Sequence, residues 1–133
     1  MEPSVAAWDL VERLGDDEVV VVDIRRPEDS RRVPLQIPGA IRMTLQEIHD
    51  SPHTLPDDEL IVLYDGDGGF LARRALRILQ LAGRSAAILE GGLQKWLSGG
   101  YPTETVRTRY VRFDDDEDRD AAVTFEASMG DGQ

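Results

Sequence analysis

The chain has 133 residues, 15 basic and 26 acidic for a net charge of −11, with 41% apolar residues and no cysteine. That size and composition suit one globular domain with a core of its own. They exclude disulfides, cysteine-held metals, iron–sulfur clusters and a thiol nucleophile, and so acidic a body is repelled by nucleic acid and anionic membranes.

Residues 1–10, MEPSVAAWDL, hold two acids and no base, unlike a signal peptide. No apolar run approaches the length of a membrane span, so the expectation is a cytoplasmic protein. Ser4 is expected to cap a first helix with Trp8, Val11 and Leu14 on one face and Gly15 as its stop. Residues 19–24 form a continuous β-branched run around Asp23, the mark of a strand buried on both faces. Residues 25–38 hold three prolines and are expected to be loop with one helical turn. Residues 41–43 suit a short strand, and Thr44 with Glu47 suits a capping box opening a short helix.

Residues 60–64 predict a second buried strand. A glycine-rich turn, Asp65-Gly66-Asp67-Gly68-Gly69, leads into a helix over 70–82, with Leu71, Ala75, Ile78, Leu79 and Ala82 on its inner side and Gly83 as its end. Residues 86–89 predict a third apolar strand, and 93–97 a short helix before Gly99 and Gly100. Uniformly apolar strands alternating with helices imply an α/β fold, a central parallel sheet of about five strands covered by helices on both faces. Trp8 and Trp96 are expected in or at the edge of the core. Residues 105–113 are β-prone and suit one added edge strand. Behind them, residues 114–133 carry eight acids against Arg119, a net of −7, and read as a disordered low-complexity tail. The division expected is a domain over 1–104 and an extra strand plus tail over 105–133.

In an open α/β sheet, ligands sit beyond the carboxyl ends of the strands. The turn from Asp65 to Gly69, ahead of the helix beginning near Phe70, is therefore the candidate site. Backbone N–H groups at a helix N-terminus cradle anions. Asp65 and Asp67 put carboxylates in that cradle, which either satisfy the amides themselves or hold a cation.

The order of Asp23-Ile24-Arg25 with Pro27 and Glu28, then Ile37-Pro38-Gly39-Ala40-Ile41, the apolar strand before the glycine loop, Leu89-Glu90-Gly91-Gly92-Leu93, Trp96 and Gly100-Tyr101-Pro102 resembles the rhodanese-like family. The resemblance covers roughly residues 4–104 and implies a small α/β domain. Active members begin the loop with a cysteine, in a pattern like Cys-x-x-Gly-x-Arg-Ser, which carries sulfur as a persulfide. Here Asp65 takes the cysteine position, Gly68 keeps the glycine, and Phe70 and Leu71 replace the arginine and serine. Gln36 stands where a histidine is familiar. A carboxylate cannot form a persulfide, so the resemblance implies the fold while the residues deny the sulfur transfer. Such members resemble binding or regulatory modules, which makes another protein the expected partner and leaves no cofactor implied.

A rival reading starts from residues 60–68, an apolar strand followed by Asp65-Gly66-Asp67-Gly68. That stretch resembles the first motif of haloacid-dehalogenase-like phosphatases, in which the first Asp is the nucleophile and Mg²⁺ bridges carboxylate and phosphate. The rest of that constellation is missing: the next strand ends at Leu89-Glu90, and Lys95 is the only lysine. The loop is no EF-hand, since the twelfth position from Asp65 is Leu76. Pro52 breaks any helical pairing of His49 with His53, so no metal site is expected there. Arg73, Arg74 and Arg77 share one helix, and Arg25, Arg26, Arg31 and Arg32 one loop; either group suits an acidic partner or a solvated face. Asp23 and Arg25 flank Ile24 at a strand end, where a hydrogen-bonded pair would tie loops together.

Overall fold

The computed structural model describes residues 2–67 and 69–106. Gly68 and the segment 107–133 lie outside the described residues, and with them most of the expected edge strand and the whole acidic tail. Among the described residues, no helix is long and apolar enough to cross a membrane.

Five parallel strands form the central sheet: β1 (Ser4–Val5), β2 (Val19–Asp23), β4 (Ile41–Arg42), β5 (Leu60–Tyr64) and β6 (Ala86–Leu89), in the order β1-β6-β5-β2-β4. The long pairings run Val19↔Leu60 through Asp23↔Tyr64, and Ile61↔Ala86 through Leu63↔Ile88. Period-two alternation splits these apolar strands between two cores. On one face Val22, Ile61, Leu63 and Ile88 meet α3 (Leu45–Asp50) and α4 (Phe70–Leu81). On the other, Val21, Val62, Ala87 and Leu89 meet α1 (Ala7–Arg13) and α5 (Gly92–Ser98), with Trp96 fully buried. Each such aliphatic side chain contributes roughly 1.5–3 kcal/mol by leaving water. That continuous burial is why these strands lack polar alternation.

Thr44 and Glu47 form the expected capping box: the threonine hydroxyl accepts from the Glu47 N–H (3.1 Å), and the Glu47 carboxylate accepts from the Thr44 N–H (2.9 Å).

Four expectations are corrected. Ser4 is not a helix cap; it lies in β1 opposite Ile88, and the residue before α1 is Ala6, which makes no side-chain cap. Trp8 is not in the core but 63% exposed, because α1 turns Ala7 and Leu10 inward and position 8 lies about 100° away. The inner stripe of α4 is Ala72, Ala75, Leu76 and Leu79, with Leu71 and Ile78 only partly covered. Residues 25–38 contain a real helix, α2 (Pro27–Arg32), and a strand, β3 (Leu35–Gln36). Pro27 starts α2, where its missing N–H costs nothing.

A short strand, β7 (Glu104–Thr105), shares only Thr105 with the strand expected over 105–113, most of which lies outside the described residues. It pairs antiparallel with β3 as a separate ribbon instead of extending the parallel sheet. The Val106 N–H then donates to the Pro34 carbonyl at 3.0 Å.

Candidate functional site

From β2 the chain pairs outward to β4, and from β5 it pairs the other way to β6 and β1. The direction of winding thus reverses between β2 and β5, and at such a switch point the loops beyond the carboxyl ends part to leave a crevice. Two segments meet there: 23–25 after β2 and 65–69 after β5.

Asp65 ends the apolar strand in a buried position, 6% exposed. Its Oδ1 accepts from the Gly69 N–H (2.9 Å), and its Oδ2 from the N–H groups of Leu71 (3.1 Å) and Ala72 (3.3 Å). Those last two donors are among the four that an α-helix leaves unpaired at its start. The capping position itself belongs to Gly69, whose left-handed backbone (φ 85°) offers no side chain; the carboxylate four residues earlier supplies the cap. The cradle in which an external anion would sit is filled by an internal one. Asp67 is exposed. Among the described residues, no group of three or more His, Cys, Asp or Glu is placed to hold a metal ion.

The same loop is held from beneath by α5. The N–H groups of Leu93 and Gln94 donate to the carbonyls of Asp65 (3.0 Å) and Gly66 (2.8 Å). This close approach explains Gly91-Gly92. Gly92 has φ +60°, and a Cβ there would lie 2.8 Å from the Asp65 carbonyl oxygen. Gly92→Ala is expected to destabilise the protein by about 1–3 kcal/mol through strain and collision. Gly91→Ala would bring its Cβ within 2.5 Å of the Lys95 Cβ, an atom that the α5 backbone fixes, besides its own positive φ (+74°), and should cost a comparable amount. Urea midpoints of the two variants check this; a Gly92→Ala protein as stable as the native one would show that the Asp65 carbonyl contact is irrelevant.

Beyond β2, Arg25 and Asp23 form the buried pair that ties loops together. The guanidinium donates to Asp23 through Nε (3.0 and 3.1 Å) and Nη2 (2.7 Å), and to the carbonyls of Val33 and Leu35 (both 2.9 Å). Arg25 therefore joins the end of β2 to the α2–β3 connection. Burial works against its charge, but the hydrogen bonds and charge of Asp23 outweigh it and hold the guanidinium pKa above its ordinary value.

Tyr64, read from the sequence only as the last residue of a strand, completes this network. Its hydroxyl donates to Asp23 Oδ2 (2.9 Å) and accepts from the Ile37 N–H (3.2 Å). Burial first, then the charge of Asp23, push its pKa well above the usual phenol range. The unfolded chain releases that proton near pH 10 while the folded protein retains it. The unfolded state then binds fewer protons, so stability falls as pH rises past about 10. Tyr64→Phe is expected to flatten this alkaline loss, and to cost about 1–3 kcal/mol at neutral pH by orphaning the Ile37 N–H. Urea midpoints at neutral and alkaline pH for both proteins provide the check.

Pro38 and Gly39 occupy the centre of a turn closed by the Ala40 N–H on the Ile37 carbonyl (3.0 Å), with Gly39 at φ 79° as a type II turn requires. The Gly39 N–H and Gln36 Nε2 both donate to Glu104 Oε2 (2.9 and 2.8 Å). Gln36 Oε1 is buried without a partner among the described residues. Glu90 lies at the other sheet edge and accepts from the Ser4 hydroxyl (3.2 Å). Trp96 donates from Nε1 to the Pro102 carbonyl (2.8 Å) and packs on Tyr101, so its role is within the fold.

The crevice between the two segments is a cavity of about 420 Å³. Its lining includes Arg26, Arg32, Val33, Asp67, Phe70 and Leu97. The rim residues of α2 were not singled out by sequence as part of this site, because only the winding of the sheet brings α2 over the loop. A larger cavity, about 780 Å³, lies away from this loop beside β4 and α3.

The rhodanese-like domain family matches residues 6–99. The chain belongs to the rhodanese-like family. It is 31% identical over 131 residues to thiosulfate/3-mercaptopyruvate sulfurtransferase 2 of Arabidopsis thaliana, covering 78% of this chain and 38% of that protein. It is 33% identical over 104 residues to the HTH-type transcriptional regulator Rv0324 of Mycobacterium tuberculosis, covering 77% of this chain and 45% of that one. The chain thus spans less than half the length of these curated relatives. Among solved structures, the full-length protein from Lactobacillus plantarum superposes with a TM-score of 0.70 at 29% identity, over 77% of this chain and 88% of that one. This rhodanese-like chain has no cysteine anywhere, so sulfur transfer through a persulfide finds no support in it.

Proposed function

We propose that this rhodanese-like chain is catalytically inactive and works as a protein-interaction or regulatory module. The observation that carries the reading is the Asp65 carboxylate, buried under three backbone N–H donors where an active member would carry its sulfur-accepting cysteine. The loop spends its anion-binding capacity on its own side chain. The crevice above it keeps a recognition surface, with Phe70 64% exposed and Val33 at the border of exposure. The similarity to the HTH-type transcriptional regulator of Mycobacterium tuberculosis supports a regulatory role.

Two experiments test this together. Thiosulfate and cyanide are expected to give no turnover above the uncatalysed rate, and Asp65→Cys alone is expected to restore little. Phe70 and Leu71 supply neither cation nor hydroxyl, and Asp67 stays to repel both thiolate and substrate. A photo-crosslinking residue at Phe70 should capture a protein that the same residue at exposed Asp58 or Glu12 does not, and Val33→Asp should abolish the capture. Turnover by the native chain, or identical capture at all positions, would overturn the proposal.

A further inference from the structure

The outward face of α4 carries arginines that no acid on the same helix balances. Its sequence, FLARRALRILQL, has three arginines and no aspartate or glutamate. Arg73 is engaged, pairing with Glu2 at 2.8 Å. Arg74 lies over the Phe70 ring at 5.8 Å, and neither it nor Arg77 forms an ion pair among the described residues. Two large apolar side chains stand exposed at the ends of this face, Phe70 at 64% and Leu81 at 89%. Beside it runs a groove of about 540 Å³ lined in part by Pro3, Leu76, Arg77 and Leu81. The arginines of α2 are different: Glu28 and Asp29 accompany them, and Arg32 already pairs with Asp29 at 2.7 Å.

Residues 114–133, which follow Arg107, Arg109 and Arg112, have the complementary pattern. Six acids fall within 114–120, and the apolar Val123 and Phe125 follow them. The last described residue, Val106, is bonded to Pro34. Eight further extended residues reach about 26 Å, about twice the ~13 Å radius of gyration of a 100-residue domain, so the acidic run can meet any face. Tethering also gives it a high effective concentration there. We propose that the acidic segment 114–120 docks on the α4 arginine face of its own chain, with Val123 and Phe125 following towards the groove beside Leu81. Exposed ion pairs are individually weak, so the contact is reversible and governed by salt.

The absence of native cysteine makes the test direct. Ala121→Cys in the full chain gives a single thiol for a nitroxide spin label. At about 0.01 M salt, the backbone amide signals of Arg74, Arg77 and Leu81 are expected to lose at least about half their intensity; at about 1 M, where the screening length falls from about 30 Å to about 3 Å, they should recover. Arg74→Glu with Arg77→Glu should abolish the loss without lowering the melting temperature, since both side chains are exposed. Broadening that is uniform, centred on α2, or unchanged at high salt would overturn the proposal. So would equal broadening of an isotope-labelled chain by a separate spin-labelled one, which would make a second copy the occupant.

Discussion

Arg25→Met is expected to destabilise the domain by about 3–5 kcal/mol, the cost of stripping one partner from a buried ion pair. That is a large share of the 5–15 kcal/mol that holds an ordinary domain together. The loss has two sources. The buried Asp23 carboxyl is left with only the Arg25 backbone N–H (3.0 Å) and the Tyr64 hydroxyl (2.9 Å) as partners. The carbonyls of Val33 and Leu35 lose their donor, which frees the α2–β3 connection from the end of β2. Arg25→Lys should recover only part of this, because one ammonium cannot reproduce a planar fork aimed at a carboxylate and two carbonyls at once. Asp23→Asn with Arg25→Met should cost less than the sum of the single changes, since the two side chains act as one unit. Denaturant midpoints of the native protein, the three single variants and the double variant give the answer. A loss under about 1 kcal/mol for Arg25→Met would show that the pair holds nothing that packing does not already hold.

Asp65→Ala is expected to cost about 2–3 kcal/mol, more than an exposed cap, because it leaves three N–H groups of a buried loop unpaired. Asp65→Asn should cost less, since the amide retains one acceptor oxygen. Sulfate should raise the melting temperature of Asp65→Ala more than that of the native protein, by binding the donors the carboxylate has released. Millimolar Mg²⁺ should change none of the three. The phosphoryl-transfer alternative requires the reverse: neutralising one of two crowded carboxylates would relieve repulsion, so Asp65→Asn would be the more stable protein. Mg²⁺ would then raise the melting temperature of the native chain alone. Melting curves with and without each ion separate the two.

The parts of this fold legible in the sequence are those whose stabilisation is local or unidirectional. β2, β5 and β6 are apolar runs because both faces of a parallel sheet are covered. The Thr44–Glu47 capping box is formed within four residues and is read directly. β1 and β3 are two-residue strands, too short to show any period, and exist only because β6 and β7 offer them a ladder. The exposure of Trp8 was invisible for a related reason. A short helix has several faces, and the sheet chose the one bearing Ala7 and Leu10.

By itself the sequence determined that no persulfide chemistry is available, since no cysteine exists, and that the loop after β5 carries Asp65 where the family's nucleophile would stand. It could not determine what that carboxylate does. A carboxylate ahead of a helix can cap it, repel a substrate or hold a cation, and those choices differ by the orientation of one side chain. Only the tertiary structure shows which hydrogen bonds the carboxylate makes. The β5 strand delivers Asp65 into the interior, and α5, free to approach because Gly92 has no Cβ, grips the loop through the Asp65 and Gly66 carbonyls. Held in that shape, the loop turns three amides onto its own carboxylate. A buried charge must find its hydrogen bonds where the backbone offers them, and here the backbone of the helix start was within reach.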